Sequence, residues 1–234
     1  RITQFRPGNR FQAMDETLVL LRHTGYSPRV VIDGGANMGL WTEMVRPIFP
    51  AASFHLIEPQ PACAPALQEL ARRMPRLHLH RVALTEPGVT RVRMVGGGWE
   101  GGGTGAWVAR DGEAAPGEVE CPAATLDVLL AEAVSSADRA LLKLDLEGHE
   151  MSALQGASRL LQAVEVILTE LQFYEINENK RPVFGDMLNF LRDRGFELYD
   201  FACLSQRPRD MRLRMGDVVF VRQDSSLLAD RSWE

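Results

Sequence analysis

Acidic side chains close two of the short apolar runs in this sequence. Asp33 ends Val30-Val31-Ile32 and leads into a glycine-rich turn, Gly34-Gly35-Ala36-Asn37-Met38-Gly39, while Glu58 ends a second run and precedes Pro59. Glycines at 35 and 39 let the backbone approach a ligand and let a helix pack closely. Asn37 is, with Asp, the non-glycine residue that best tolerates a left-handed φ. An acid such as Glu58 falls near the place where ribose hydroxyls are hydrogen-bonded in nucleotide-binding sheets. The pattern therefore points to nucleotide-type binding, but with an unusual sign. A pyrophosphate wants bare amides at a helix start, and Asp33 would repel it. S-adenosylmethionine carries a sulfonium and an ammonium group, so Asp33 favours it, directly or through a bridging water. The expected cofactor-binding set is Asp33, Gly34, Gly35, Ala36, Asn37, Gly39, Glu58 and Pro59. Ala83 and Leu84 join it as a possible adenine sandwich, with an ordinary core-strand role equally open to both.

A second constellation is Leu141 to Leu154, LLKLDLEGHEMSAL, where Lys143, Asp145 and Glu147 alternate along a strand and its exit. Charge in a core strand must be paired or face a polar cleft, and Lys143 is expected to pair with Asp145 or Glu170. Asp145 is a candidate for holding a ligand ammonium or orienting an acceptor hydroxyl, and Glu147 for binding the acceptor. His149 has a titration range suited to a general base. Glu170, which ends the run Ile167-Leu168-Thr169, is an alternative base or hydroxyl ligand. Glu150 and Asp127 read as structural residues at helix starts. Trp99, Trp107 and Tyr174 could stack on a sugar face. Asp145, Glu147 and Glu170 are hard oxygen donors of the kind Mg²⁺ accepts, yet their spacing does not demand a metal and none is expected.

These residues need a scaffold that brings strand ends to one edge. Val30 to Asp33, Ser53 to Ile57 and Leu77 to Ala83 alternate with helical stretches at about Met38 to Arg46 and Ala64 to Arg73, the βαβαβ rhythm of a parallel sheet. Further strands are expected at Ala140 to Asp145, Val164 to Glu170, Phe196 to Cys203 and Asp217 to Arg222. The last returns antiparallel, because no crossover-length segment precedes it. The fold class is thus α/β, a Rossmann-like seven-stranded and mostly parallel sheet with helices on both faces. Residues 1–28 read as an N-terminal helical extension and 29–234 as the main domain, with a glycine-rich hairpin insertion around 88–120.

Composition bounds the partners. The 234 residues carry a formal charge of −5, with 45% hydrophobic and 24% charged residues, which is ordinary for a globular protein. Net negative charge argues against a nucleic-acid grip. No apolar run reaches the roughly 20 residues of a bilayer span, and these residues lead us to expect no secretion signal. Three scattered cysteines suggest neither a disulfide framework nor a zinc site. The expected setting is the cytoplasm and the expected partner a small molecule, with homo-oligomerisation left open.

VVIDGGANMG, TLDVLL, LLKLDLEGHE and the closing GDVVFV together resemble the FkbM family of S-adenosylmethionine-dependent methyltransferases, over most of Arg29 to Arg222. The glycine turn is shared by many methyltransferases, whereas KLDLEGHE after a TLD helix is far more specific. The resemblance implies a Rossmann-like methyltransferase, S-adenosylmethionine as cofactor, and O-methylation of a sugar, glycolipid or polyketide-type natural product. The tract GGGWEGGGTG has no counterpart in that pattern. A nicotinamide-dependent oxidoreductase and a non-catalytic S-adenosylmethionine-binding domain are the alternative readings.

Overall fold

The computed structural model describes residues 14–96, 105–109, 118–176, 181–230 and 232. Eleven strands occur among them: β1 (Val30–Gly34), β2 (Ser53–Ile57), β3 (Leu77–His80), β4 (Ala83–Leu84), β5 (Arg91–Val95), β6 (Trp107–Val108), β7 (Val119–Ala124), β8 (Ala140–Leu144), β9 (Val164–Gln172), β10 (Phe196–Gln206) and β11 (Leu213–Arg222). Six helices accompany them: α1 (Met14–His23), α2 (Leu40–Val45), α3 (Ala64–Arg73), α4 (Leu126–Leu130), α5 (Glu150–Gln155) and α6 (Phe184–Arg192). Seven strands form one sheet in the order β10-β11-β9-β8-β1-β2-β3. β1 runs parallel to β2 and β8, whereas β11 is antiparallel to both β9 and β10. This is the mostly parallel α/β sheet expected, with the late antiparallel return. Among the described residues no helix is long and apolar enough to cross a membrane.

The chain divides into two compact units, residues 28–165 and residues 1–27 together with 166–234. In the first, β1 is buried along its whole length, as its β-branched residues require when both faces of a sheet are covered. α3 buries Leu67 and Leu70. A Cβ added at Gly39 would lie 2.6 Å from a Leu70 methyl, so only glycine there lets α3 sit this close to the turn. The second unit holds α1, which lies against β10, with α6 also against β10. Phe173, Phe184 and Phe201 cluster there, with ring centroids 5.8 to 6.1 Å apart.

The stretch expected as one strand from Leu77 to Ala83 is two. β3 ends at His80, and β4 leaves the large sheet to pair with β7 in a four-stranded sheet of order β4-β7-β5-β6. β7 was not anticipated, and it carries Pro122, a residue that a strand interior rarely accepts. It is accommodated opposite Arg91, at the first position of β5. The glycine-rich tract expected as a hairpin tip spans residues 96–105, of which 97–104, Trp99 included, lie outside the described residues.

At the outer edge of the large sheet, His55 Nδ1 and His80 Nε2 are 3.1 Å apart, and the His55 ring stacks on His78 at 4.7 Å. Burial, then the nearby His78 and His80, lower the pKa of His55 to about 4. A histidine depressed in the folded state binds fewer protons than in the unfolded chain between about pH 6.5 and 4, so its contribution is present above pH 6.5 and lost as pH falls through that window. Half-burial of the ring limits this to roughly 1–2 kcal/mol. His55→Leu is expected to flatten the fall in denaturant-derived stability between pH 7 and pH 4.5 by that amount. An equally steep fall in the variant would place the acid sensitivity elsewhere.

Candidate functional site

The exit of β1 is a tight turn with left-handed backbone at Gly35 (φ 75°), Asn37 (φ 48°) and Gly39 (φ 84°). Asn37 thus adopts the conformation its residue type made affordable. The hydrogen bonds of this turn can be followed amide by amide. Gly35 and Ala36 N–H both donate to the Ile57 carbonyl, Asn37 N–H donates to Glu58 Oε2 at 2.8 Å, Met38 N–H donates to Asn37 Oδ1, and Gly39 N–H donates to the Ala36 carbonyl. Five consecutive amides are therefore engaged within the protein, leaving none of them as a phosphate cradle of the kind dinucleotide sites present.

Glu58 is 5% exposed, and its second oxygen accepts from Gln60 N–H at 2.9 Å. Burial raises the pKa of its carboxyl, against the opposing pull of the two backbone donors. Each oxygen takes one backbone donor and the Gln60 side chain adds a third hydrogen bond, so of about four accepting positions on the carboxylate one is left for a ribose hydroxyl. Pro59 follows, half-buried.

Asp33 stands elsewhere than at a rim. It is fully buried; Oδ1 lies 3.0 Å from Lys143 Nζ and Oδ2 accepts from the Thr42 hydroxyl at 2.7 Å. Lys143 also donates to the Gly35 carbonyl at 3.0 Å and lies 3.7 Å from Asp145 Oδ2. The Asp145 pairing was expected. The Asp33 pairing was missed, although a lysine inside Leu141-Leu142-Lys143-Leu144 calls for a buried carboxylate on a neighbouring strand, and Asp33 is its register partner. Asp145 is the exposed member of the group, its side chain 46% accessible.

Beyond Asp145 the alternation expected of a strand breaks. Glu147 (φ 54°) and Gly148 (φ 92°) form a left-handed turn, pinned by Glu150, whose Oε1 accepts from Leu146 N–H (2.7 Å) and Gly148 N–H (3.1 Å). Burial pushes the Glu150 carboxyl up to about 7, against the pull of these donors. Glu150 is thus structural, as its place in the sequence suggested. Glu147 is half-buried and its Oε1 comes 3.9 Å from where a Cβ on Gly105 would stand. His149 Nε2 faces Thr85 Oγ1 at 3.5 Å. Asp127 also does structural work, its carboxylate accepting from Arg159 and Leu160 N–H.

Ala83 and Leu84 are buried in β4. Ala83 packs into the small sheet's core with Val92, Met94 and Cys121, whereas a Leu84 methyl lies 3.0 Å from where a Gly34 Cβ would be, against the glycine turn. Trp107 stacks over Gly96. In the other unit, Glu170 stands opposite Asp217 and Asp217 opposite Cys203, and burial followed by the Asp217 charge raises the Cys203 thiol pKa. Asp217 as a neighbour of Glu170 was not anticipated; the antiparallel β9–β11 register brings them together. Tyr174 has the Arg212 guanidinium 3.9 Å from its ring centroid, so that face is already occupied by an arginine of the same chain. Among the described residues, no group of three or more His, Cys, Asp or Glu is arranged to hold a metal ion.

Residues 33–198 match the model of the methyltransferase FkbM domain. Among solved structures, the chain resembles a methyltransferase FkbM from Methylobacillus flagellatus KT, with TM-score 0.51 and 17% identity over 83% of this chain and 43% of that one. The chain thus spans less than half the length of that protein. It also resembles a precorrin-6y C5,15-methyltransferase from Geobacter metallireducens GS-15, with TM-score 0.47 and 10% identity over 93% and 92% of the two chains. A third likeness is to an O-methyltransferase family protein from Burkholderia thailandensis, with TM-score 0.49 and 11% identity over 89% and 55%. No curated protein matches the sequence.

Proposed function

The chain belongs to the FkbM methyltransferase family, and on that premise we propose that it methylates a hydroxyl oxygen of a small carbohydrate-like or natural-product acceptor. S-adenosylmethionine is the cofactor, and when bound it supplies a methyl group already activated on a sulfonium. What remains for the chain's own residues is alignment and, for an alcohol, removal of a proton.

The turn formed by Gly34, Gly35, Ala36, Asn37 and Gly39 supports the cofactor's backbone side, and Glu58 accepts from the ribose hydroxyls. Asp145 holds the ammonium or orients the acceptor hydroxyl. Glu147 binds the acceptor, and His149 is the candidate base. Glu170, opposite Asp217 in the other unit, is by itself a candidate hydroxyl ligand or alternative base. The observation that carries this reading is the contrast between the two acids of the β1–β8 pair: Asp33 is sealed against Lys143 while Asp145 is open to solvent. A nicotinamide dinucleotide is disfavoured by the five engaged amides of the turn.

The test is incubation with methyl-labelled donor and a panel of hydroxylated glycosides, read by mass spectrometry. A gain of one labelled methyl on oxygen is expected. Transfer only to nitrogen or carbon would overturn the oxygen assignment, and calorimetric cofactor binding with no transfer to any acceptor would favour the non-catalytic reading.

A further inference from the structure

Lysine is among the residues least often buried, yet Lys143 is 4% exposed in the apolar strand β8. A cation there survives only with close partners. Its ammonium reaches three separate pieces of the site: Asp33 at the end of β1 (3.0 Å), the Gly35 carbonyl in the turn (3.0 Å) and Asp145 beyond β8 (3.7 Å). The Trp41 ring of α2 adds a fourth contact, 5.7 Å from the ammonium to the centroid.

We propose that Lys143 is a positioning residue that sets the charge of the cofactor site: it cancels Asp33, tethers the glycine turn through Gly35, and moderates the negative potential of Asp145. The proposal rests on the turn being the S-adenosylmethionine site. Donor and demethylated product differ by one positive charge, the sulfonium, so the potential that the protein maintains around the turn fixes how strongly one is preferred to the other. Two carboxylates and one ammonium leave a net charge of about −1 in the trio, carried outward by the exposed Asp145. A second uncancelled carboxylate would favour the charged donor further and release the neutral product more readily; an uncancelled ammonium would do the reverse. Lys143 thereby sets the balance between gripping the donor and being inhibited by the product.

The test measures donor and product (S-adenosylhomocysteine) affinities by calorimetry at fixed ionic strength for the wild type, Asp33→Asn, Lys143→Met and the double variant. Asp33→Asn keeps an acceptor for Thr42 and leaves Lys143 with Asp145, so it is the variant expected to fold without difficulty. It should lower the donor-to-product affinity ratio about three- to tenfold. Lys143→Met should raise the ratio by a similar factor where it folds. The double variant should return the ratio toward the wild-type value while weakening both ligands, because Gly35 has lost its tether. A purely structural ion pair would move both ligands together, so an unchanged ratio in Asp33→Asn overturns the proposal whatever becomes of Lys143→Met. Wild-type protein that binds neither ligand would instead remove the site reading itself.

Discussion

Gly35→Ala is expected to weaken S-adenosylmethionine binding by at least ~100-fold and to lower stability by about 3 kcal/mol or more. A left-handed φ of 75° alone costs a side-chain-bearing residue about 1–2 kcal/mol. The larger part is steric: a Cβ at this position would stand 2.0 Å from the carbonyl oxygen of Asp145. That oxygen is backbone, so no rotamer change relieves the overlap and the exits of β1 and β8 must part. Parting them strains the Asp145 N–H donation to the Gly34 carbonyl and the Lys143 tether to Gly35. Gly25 is the matched control, since it has φ 97° and nothing within 4 Å of an added Cβ. Gly25→Ala should cost only about 1–2 kcal/mol and leave cofactor affinity unaltered. Thermal melts and calorimetry on both variants decide the matter; if the two alanines behave alike, the close approach of turn and β8 is not what the site depends on.

The parts of the site that were legible in the sequence are those written locally. Val30-Val31-Ile32 identifies a strand covered on both faces, Asn37 between two glycines identifies a left-handed turn, and Glu58 at a strand end identifies a second anchor. What could not be read depends on which strands become neighbours. Lys143 offered Asp145 and Glu170 as partners by proximity in the chain and by type, and only the parallel register of β1 with β8 makes Asp33 its nearest carboxylate. The same register explains why an acid that looked ligand-facing is sealed in the core. β4 was hidden for another reason: Leu77 to Ala83 reads as one apolar-rich run, and the break in its alternation at His80-Arg81 is too short to say that the chain changes sheets there. In the KLDLEGHE segment the period-2 pattern is misleading from Glu147 onward, because Glu150 draws the preceding amides into a turn and rotates Glu147 out of the strand's alternation.

Glu58→Ala carries the second large effect, a rise in the cofactor dissociation constant of about 100-fold or more, with a loss of roughly 2–6 kcal/mol in stability. The carboxylate is the acceptor for two backbone donors from opposite sides, Asn37 N–H of the glycine turn and Gln60 N–H at the entry to α3. Removing it leaves both amides in a buried setting without their acceptor, at about 1–3 kcal/mol each. It also frees Asn37 from the bond that stabilises its left-handed backbone. Glu58→Gln separates these contributions. Its single amide oxygen satisfies one donor while its NH₂ opposes the other, so about half of the stability loss should return. Affinity should recover less than stability, since the amide offers the ribose hydroxyls one fewer accepting oxygen and no charge. Calorimetry and chemical denaturation on the pair of variants give the two numbers. Recovery of affinity in full by Glu58→Gln would mean that Glu58 acts only by holding the turn, and the ribose would then need another partner.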